Sequence, residues 1–309
     1  VIQTVFSAEL PVAEHLVIKK NRIEGRYRRG PRIAVVTGTH GDELEGQYVA
    51  YELARQLNAH LDALHGVVDI YPAVNPLGIN SIERGVPGFD LDLNRTFPGS
   101  HDGNLTQALA AAVIDDIRGA DVCVDIHASN IFLREMPQVR VNELSADQLL
   151  PIAPLLNVNF IWVHASATVL ESTLAYSLNS VGTPCLVVEM GVGMRITEDY
   201  GARLAEGLLR LIAHFGGWDG GFVESPAPLI SRDGNVCFLN ADKPGLFLPR
   251  AQHATIVQKN QLIGLIVNPL TGTVQQEVRT PQGGLLFTLR EYPIVYPGSL
   301  LARILGDVR

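Results

Sequence analysis

An α/β domain built on a mostly parallel mixed sheet flanked by helices, followed by a smaller β-rich unit, is the fold class that this sequence predicts. Three observations lead there. From about Arg32 to Phe215, short β-branched runs alternate with longer stretches of helical periodicity, the pattern of parallel strands joined by crossover helices. Several of the apolar runs end in residues able to do chemistry, His40, His127 and Glu189, where open α/β sheets gather their ligands beyond the carboxyl ends of strands. After Trp218-Asp219-Gly220-Gly221 the texture breaks into short runs separated by Gly, Pro and Asn, with little room for a long helix.

Taken in order, the opening segment 1–29 is expected to add one or two strands. Strands are expected over 33–37, 67–74, 121–126, 160–164 and 185–189. A helix is expected over 43–57, where Leu44, Tyr48, Tyr51, Leu53, Ala54 and Leu57 recur at near-helical spacing. Two more are expected over 105–117 and 196–215. A boundary near Phe222 then divides a catalytic domain, 1–222, from a β-rich C-terminal domain, 223–309, read as a small barrel or sandwich.

Composition narrows the function classes. The chain has 309 residues, 47% hydrophobic and 18% charged, which is enough for a buried core. Its net charge of −8 comes from 32 acidic against 24 basic residues, without the basic tract that a nucleic-acid groove requires. Nucleic acid is therefore excluded as an expected partner. No apolar run approaches the ~18 residues of a membrane span and no leader pattern is evident, so a cytoplasmic location without membrane contact is expected. Cys123, Cys185 and Cys237 form no C-x-x-C pair and read as reduced packing residues.

The residues with chemistry begin with His40-Gly41-Asp42-Glu43. A histidine and a carboxylate three positions apart converge on one ion if the chain turns into a helix between them. His127, in Asp125-Ile126-His127, supplies a third donor, leaving one coordination position open as in catalytic rather than structural sites. Two histidines and one carboxylate favour zinc, one ion per chain. Glu189 ends an apolar strand, a costly place for a charge unless it is paired or used. It is the candidate general base, with a structurally bonded buried glutamate as the alternative. Asn94 and Arg95, in Asp92-Leu93-Asn94-Arg95, suit a carboxylate, since a planar guanidinium binds both oxygens and the amide adds a donor. A turn held by an arginine ion pair remains open for them. Arg84 is the nearest candidate cation for a developing oxyanion.

Read together, Gly38-Thr39-His40-Gly41-Asp42-Glu43-Leu44-Glu45-Gly46, Asn75-Pro76, Asp92-Leu93-Asn94-Arg95, Asp125-Ile126-His127 and Val188-Glu189-Met190-Gly191 resemble the succinylglutamate desuccinylase and aspartoacylase family. That resemblance implies a branch of the zinc carboxypeptidase fold with an added β-rich C-terminal domain. It implies His40, Glu43 and His127 as zinc ligands, Glu189 as base and then acid, and Asn94 and Arg95 as a carboxylate clamp. Arg84 matches less closely, because its neighbours are Glu83 and Gly85.

One departure bears on the substrate. Family members acting on acylated aspartate or glutamate tend to carry an arginine shortly before the catalytic glutamate, whereas 175–186 holds no basic residue. Arg134 and Arg140 are candidate replacement cations, with plain surface charge as the alternative. Tyr292 and Tyr296 are candidates for a late tyrosine at the substrate, and His164 for a pocket wall. The expected activity is zinc-dependent hydrolysis of an amide in a small N-acyl amino acid or related acylated amine, a small-molecule partner carrying an amide and a carboxylate. The alternatives are a zinc carboxypeptidase acting on short peptides and a non-catalytic metal-binding or carrier protein. A homo-oligomer is compatible with the sequence.

Overall fold

The computed structural model describes residues 1–164, 170–232 and 235–306. The chain opens with an antiparallel pair, β1 (Ile2–Glu9) and β2 (His15–Glu24), and β3 (Tyr27–Thr37) carries it into the interior. There follow α1 (Glu45–Ala59), β4 (His65–Tyr71), α2 (Pro76–Ser81) and α3 (Leu105–Ile117). Next come β5 (Val122–Ala128), β6 (Leu133–Asn142), α4 (Ala146–Leu149), β7 (Phe160–His164), α5 (Leu174–Ser180), β8 (Cys185–Gly191) and α6 (Glu198–His214). The C-terminal part supplies β9 (Leu229–Arg232), β10 (Val236–Asn240), β11 (Gly245–Pro249), β12 (Ile256–Val257) and β13 (Leu262–Asn268). It ends in β14 (Thr273–Arg279), β15 (Gly284–Arg290), β16 (Ile294–Val295) and β17 (Leu300–Leu305).

One large sheet runs in the order β1-β2-β4-β3-β5-β8-β6-β15-β17-β10, with β7 and β9 branching from β6 and β12 from β15. Its centre, β4-β3-β5-β8, is parallel, and antiparallel neighbours flank it on both sides. A second, antiparallel sheet, β14-β13-β11-β16, belongs to the C-terminal part. The expected mixed α/β sheet with a parallel core is present. The large sheet continues past residue 222, since β15, β17 and β10 extend it and β9 pairs with β7.

Parallel strands are covered on both faces, so their residues are apolar in succession rather than in alternation. On β3, Ile33 and Val35 pack with α1 and α6, through Val49, Leu53, Leu57, Leu204, Leu208 and Leu211. Ala34 and Val36 pack the opposite way with Leu109, Val113 and Ile117 of α3. Cys123 and Cys185 are free thiols buried in that second layer, at paired positions on β5 and β8. An Asn104 and Gln107 capping box starts α3. Among the described residues no helix is long and apolar enough to cross a membrane.

The sequence reading missed β6, whose charges and Pro137 hide its strand character. Three steps along β6, from Glu135 to Gln138, match two steps along β8, from Gly191 to Glu189. This bulge, holding Met136 and Pro137, inverts the alternation of side chains. Glu135, Gln138 and Arg140 consequently share the face of β8 that carries Glu189.

Near the other edge, β4 carries a fully buried Asp69. Arg22 donates to both its oxygens at 2.7 Å, Arg32 Nε donates to Oδ2 at 2.9 Å, and Lys20 Nζ stands 3.5 Å away. Burial pushes the Asp69 carboxyl up, but the hydrogen bonds from Arg22 and Arg32 and the Lys20 charge outweigh it and hold the group below its ordinary value. A carboxyl lowered on folding contributes stability in full above its unfolded value near ~4, and loses it as pH falls through the lower folded value. Asp69→Asn should therefore cost about 3–5 kcal/mol in urea unfolding at neutral pH, because three cations lose their counter-charge. It should also flatten the fall of stability below about pH 4.

Candidate active site

The candidate ligands meet at one edge of the parallel sheet because three strands end there in register. β5 lies between β3 and β8, with Thr37 opposite Ile126 and His127 opposite Glu189. After β3 the chain turns at Gly38, whose φ of +67° suits glycine. Gly41 lies against the Gly78 backbone so closely that a Cβ there would stand 2.0 Å from the Gly78 carbonyl carbon. The turn is thus pinned, and α1 begins only at Glu45. His40 and Glu43 converge through this turn, where Glu43 N donates to His40 O at 3.4 Å, and not along a helix face as the spacing suggested.

One nitrogen from each of His40 and His127 and one oxygen from Glu43 lie within 4.8 Å of one another, and all three residues are buried. Glu43 Oε1 is 2.7 Å from His40 Nδ1 and Glu43 Oε2 is 2.9 Å from His127 Nδ1. His40 Nδ1 has no hydrogen-bond partner despite its short approach to Glu43, so the two atoms converge without donor–acceptor alignment. The far nitrogen of each ring is taken. His40 Nε2 bonds Asp92 Oδ1 at 2.9 Å and His127 Nε2 bonds Asp125 Oδ2 at 3.1 Å. That leaves Nδ1 of both rings facing the same point, with an aspartate fixing each ring, the support that metal-binding imidazoles typically receive.

Electrostatics favour positive charge at this point. Burial opposes protonation of both imidazoles, yet Asp92 and Glu43 at His40, and Asp125 and Glu43 at His127, raise the two groups above the ordinary histidine value. Burial likewise pushes Glu43 up, and His127 and His40 overcome it and hold the carboxyl low. Asp92 is held at about 2, burial being outweighed by the His40 contact and the nearby Arg84 and Arg95 charges. Two nitrogens and a carboxylate oxygen, buried and surrounded by carboxylates, fit a divalent cation.

The cleft around these residues has a volume of about 580 Å³. Arg84, Asn94, Arg95, Arg140 and Glu189 line it beside the donor set. Arg84 Nη1 donates to Glu43 Oε1 at 2.7 Å. Asn94 Oδ1 accepts from Leu174 N at 3.0 Å, so its amide nitrogen remains for a ligand, and Arg95 Nη1 donates to the Asn94 carbonyl. Arg140 Nη1 donates to Glu189 Oε1 at 3.2 Å. Burial raises the Glu189 carboxyl above its ordinary value, against the lowering effect of Arg140 and His127.

Arg134 is not brought to the cleft. It pairs with Glu291, while its neighbours Leu133 and Glu135 line the wall, as the two-residue period of a strand requires. Tyr292 is half exposed and set edge-on to Phe132 at 5.6 Å, and Tyr296 is exposed. Neither belongs to the lining of the cleft. His164 lines a second cavity beside it, its ring 4.3 Å from that of Trp162.

Sequence reasoning quoted Asp92 and Asp125 within motifs without a task for either. The signal was available, since each carboxylate stands within a few residues of a candidate cleft residue. It gave no role to Glu135, which lies between Arg134 and Arg140, or to Arg303. Glu135 Oε1 accepts from Arg303 at 2.6 Å and from Arg140 at 3.5 Å, and Glu135 Oε2 accepts from Gln138 at 2.6 Å and Thr288 at 2.8 Å. No local pattern links partners 168 residues apart.

Residues 29–215 match the model of the succinylglutamate desuccinylase/aspartoacylase catalytic domain. The chain is 25% identical over 285 residues to the N-alpha-acetyl-L-2,4-diaminobutyric acid deacetylase of Halomonas elongata, covering 89% of this chain and 82% of that protein. Among solved structures, the product-bound ectoine utilization protein EutE (DoeB) from Ruegeria pomeroyi superposes with a TM-score of 0.83 at 20% identity, covering 99% of this chain and 95% of that one. A succinylglutamate desuccinylase/aspartoacylase from Rhodobacter sphaeroides superposes with a TM-score of 0.81 at 24% identity, covering 100% and 96%. With its catalytic-domain match spanning more than half of its length, the chain belongs to the succinylglutamate desuccinylase/aspartoacylase family.

Proposed function

We propose that the cleft hydrolyses the amide bond of a small N-acyl amino acid or related acylated amine, using one zinc ion held by His40, Glu43 and His127. The chain is an amidohydrolase of the deacylase kind. The observation that carries the reading is the buried His-Glu-His donor set with a separate carboxylate, Glu189, directly across the β5–β8 register from His127. Zinc suits two imidazole nitrogens and one carboxylate oxygen, and when bound it supplies a Lewis acid that acidifies water and polarises a carbonyl.

The chain's own residues account for the other tasks. Glu189 receives the proton of the attacking water. Arg140 occupies its Oε1, which leaves Oε2 for that proton. A carboxyl raised by burial is suited to hand the proton on to the leaving nitrogen, since an acid–base group works best when its pKa approaches the working pH. Arg84, already against Glu43, offers its guanidinium to the developing oxyanion. Asn94 and Arg95 hold the substrate's carboxylate and turn the scissile carbonyl toward the ligands.

Two further observations support a small substrate. Arg303 of β17 forms part of the cleft wall, so the C-terminal part, taken as a unit from 223, narrows the space open to a long peptide. The relative from Halomonas elongata is by name a deacetylase of a short acylated amino acid. Of the two candidate replacement cations, Arg140 lies in the cleft, where Glu189 and Glu135 already engage it, so it braces the base instead of pairing with an acidic side chain. Arg134 has no such role, since it lies outside the cleft.

Metal analysis should find one zinc per chain, and His127→Ala should lose it. Asp125→Asn should weaken zinc binding by roughly 10–100-fold in a chelator competition, since the ring would lose the partner that orients it. Glu189→Gln should retain zinc and slow release of primary amine from N-acyl amino acids by roughly 10²–10⁴-fold. Turnover at the unsubstituted rate in that variant would remove Glu189 from the role of base.

A further inference from the structure

A second cavity of about 540 Å³ adjoins the catalytic cleft. The two share Arg140, Leu170, Thr173, Ala175 and Val187 in their walls. The second cavity is lined by the end of β6, α4 with the turn before it, the end of β7, α5 and the start of β8, and it opens to the surface. It therefore occupies the side of the cleft where 175–186 carries no basic residue.

The chemistry of its walls is distinctive. Among the described residues, Arg140 is the one lining side chain with a full charge, and Glu189 and Glu135 already engage it. The remaining described surface is aliphatic, as at Val141, Leu149 and Val187, or polar, as at Ser145, Tyr176 and the imidazole of His164. A charged group entering this space would give up hydration without gaining a counter-charge, which is costly. A neutral chain would gain from burial, by about fourfold in affinity for each methylene at the usual transfer value. Among the described residues, Arg140 also keeps a buried Nε without a hydrogen-bond partner, where the two cavities meet. An acceptor oxygen on the ligand would satisfy it.

Resting on the deacylase reading above, we propose that this chamber is a substrate subsite continuous with the catalytic cleft, and that it takes an uncharged, mainly aliphatic chain. The chain can belong to the acyl group or to the amino-acid side chain. These share one chemistry, and ligand choice tells them apart.

The test is calorimetric binding to the zinc-loaded Glu189→Gln protein, with N-acetylglycine as the reference. At least one of N-hexanoylglycine and N-acetylnorleucine should bind thirtyfold more tightly or better, and which one does so identifies the acyl or the side-chain arm. N-acetylaspartate and N-acetyl-2,4-diaminobutyrate should gain nothing over the reference. Ser145→Trp, which fills the chamber away from the metal ligands, should abolish the gain. Leu144→Arg should do the same by placing a charge at the rim, and since Leu144 is exposed this variant keeps its fold. Equal or undetectable binding of the long neutral ligands, tighter binding of the charged ones, or a gain that survives both variants overturns the subsite. Turnover by the unsubstituted protein is read separately. Chain-length gain without amine release would sink the deacylase reading and leave the subsite, whereas amine release without chain-length gain would do the reverse.

Discussion

Glu43 is a carboxylate enclosed by protein at the end of a parallel sheet, and much of the surrounding structure can be understood as the compensation that such a charge demands. His40, His127 and Arg84 surround it. Each of these cations or near-cations then needs a partner of its own, supplied by Asp92 and Asp125. A second chain of alternating charge, Glu189 to Arg140 to Glu135 to Arg303, runs along the neighbouring strands. In a low-dielectric interior an unpaired member would be expensive, so the two chains hold their side chains in place as well as neutralising them. Rigidity of this kind holds the proposed acid, base and metal donors in position before a substrate arrives.

Strand register turns that charge pattern into geometry. His127 and Glu189 face each other because β5 and β8 are parallel and in step, and the His40 turn lies beside them because β3 is β5's other neighbour. A slip of one residue would send His127 or Glu189 to the opposite face. The apolar layers above and below the sheet oppose such a slip, since both faces of β3 and β5 are fully covered.

Much of this was legible in the sequence. The alternation of strands and helices pointed to the parallel core, strand-end positions pointed to His40, His127 and Glu189, and the spacing from His40 pointed to Glu43, before any coordinates. The illegible parts have physical reasons. His40 and Glu43 meet through a turn pinned by Gly41 against Gly78, a contact between segments that sequence spacing does not report. Arg134 and Arg140 are six apart and should share a strand face, yet one leaves the cleft and the other enters it, because a bulge at Met136 and Pro137 inverts the alternation. Glu135 and Arg303 depend on the large sheet running on into the C-terminal strands, a pairing that local periodicity cannot express.

The contact between Glu135 and Arg303 also orders events in time. A ribosome releases residues from first to last, so the proposed metal donors, Glu189 and Arg140 all emerge well before β17. Until Leu300–Leu305 pairs with β15, Glu135 lacks its 2.6 Å partner and the charge chain behind Glu189 ends one cation short. The nascent protein thus possesses its proposed metal donors early and its finished wall late, so that assembly of the cleft waits on the docking of a strand made after all of them.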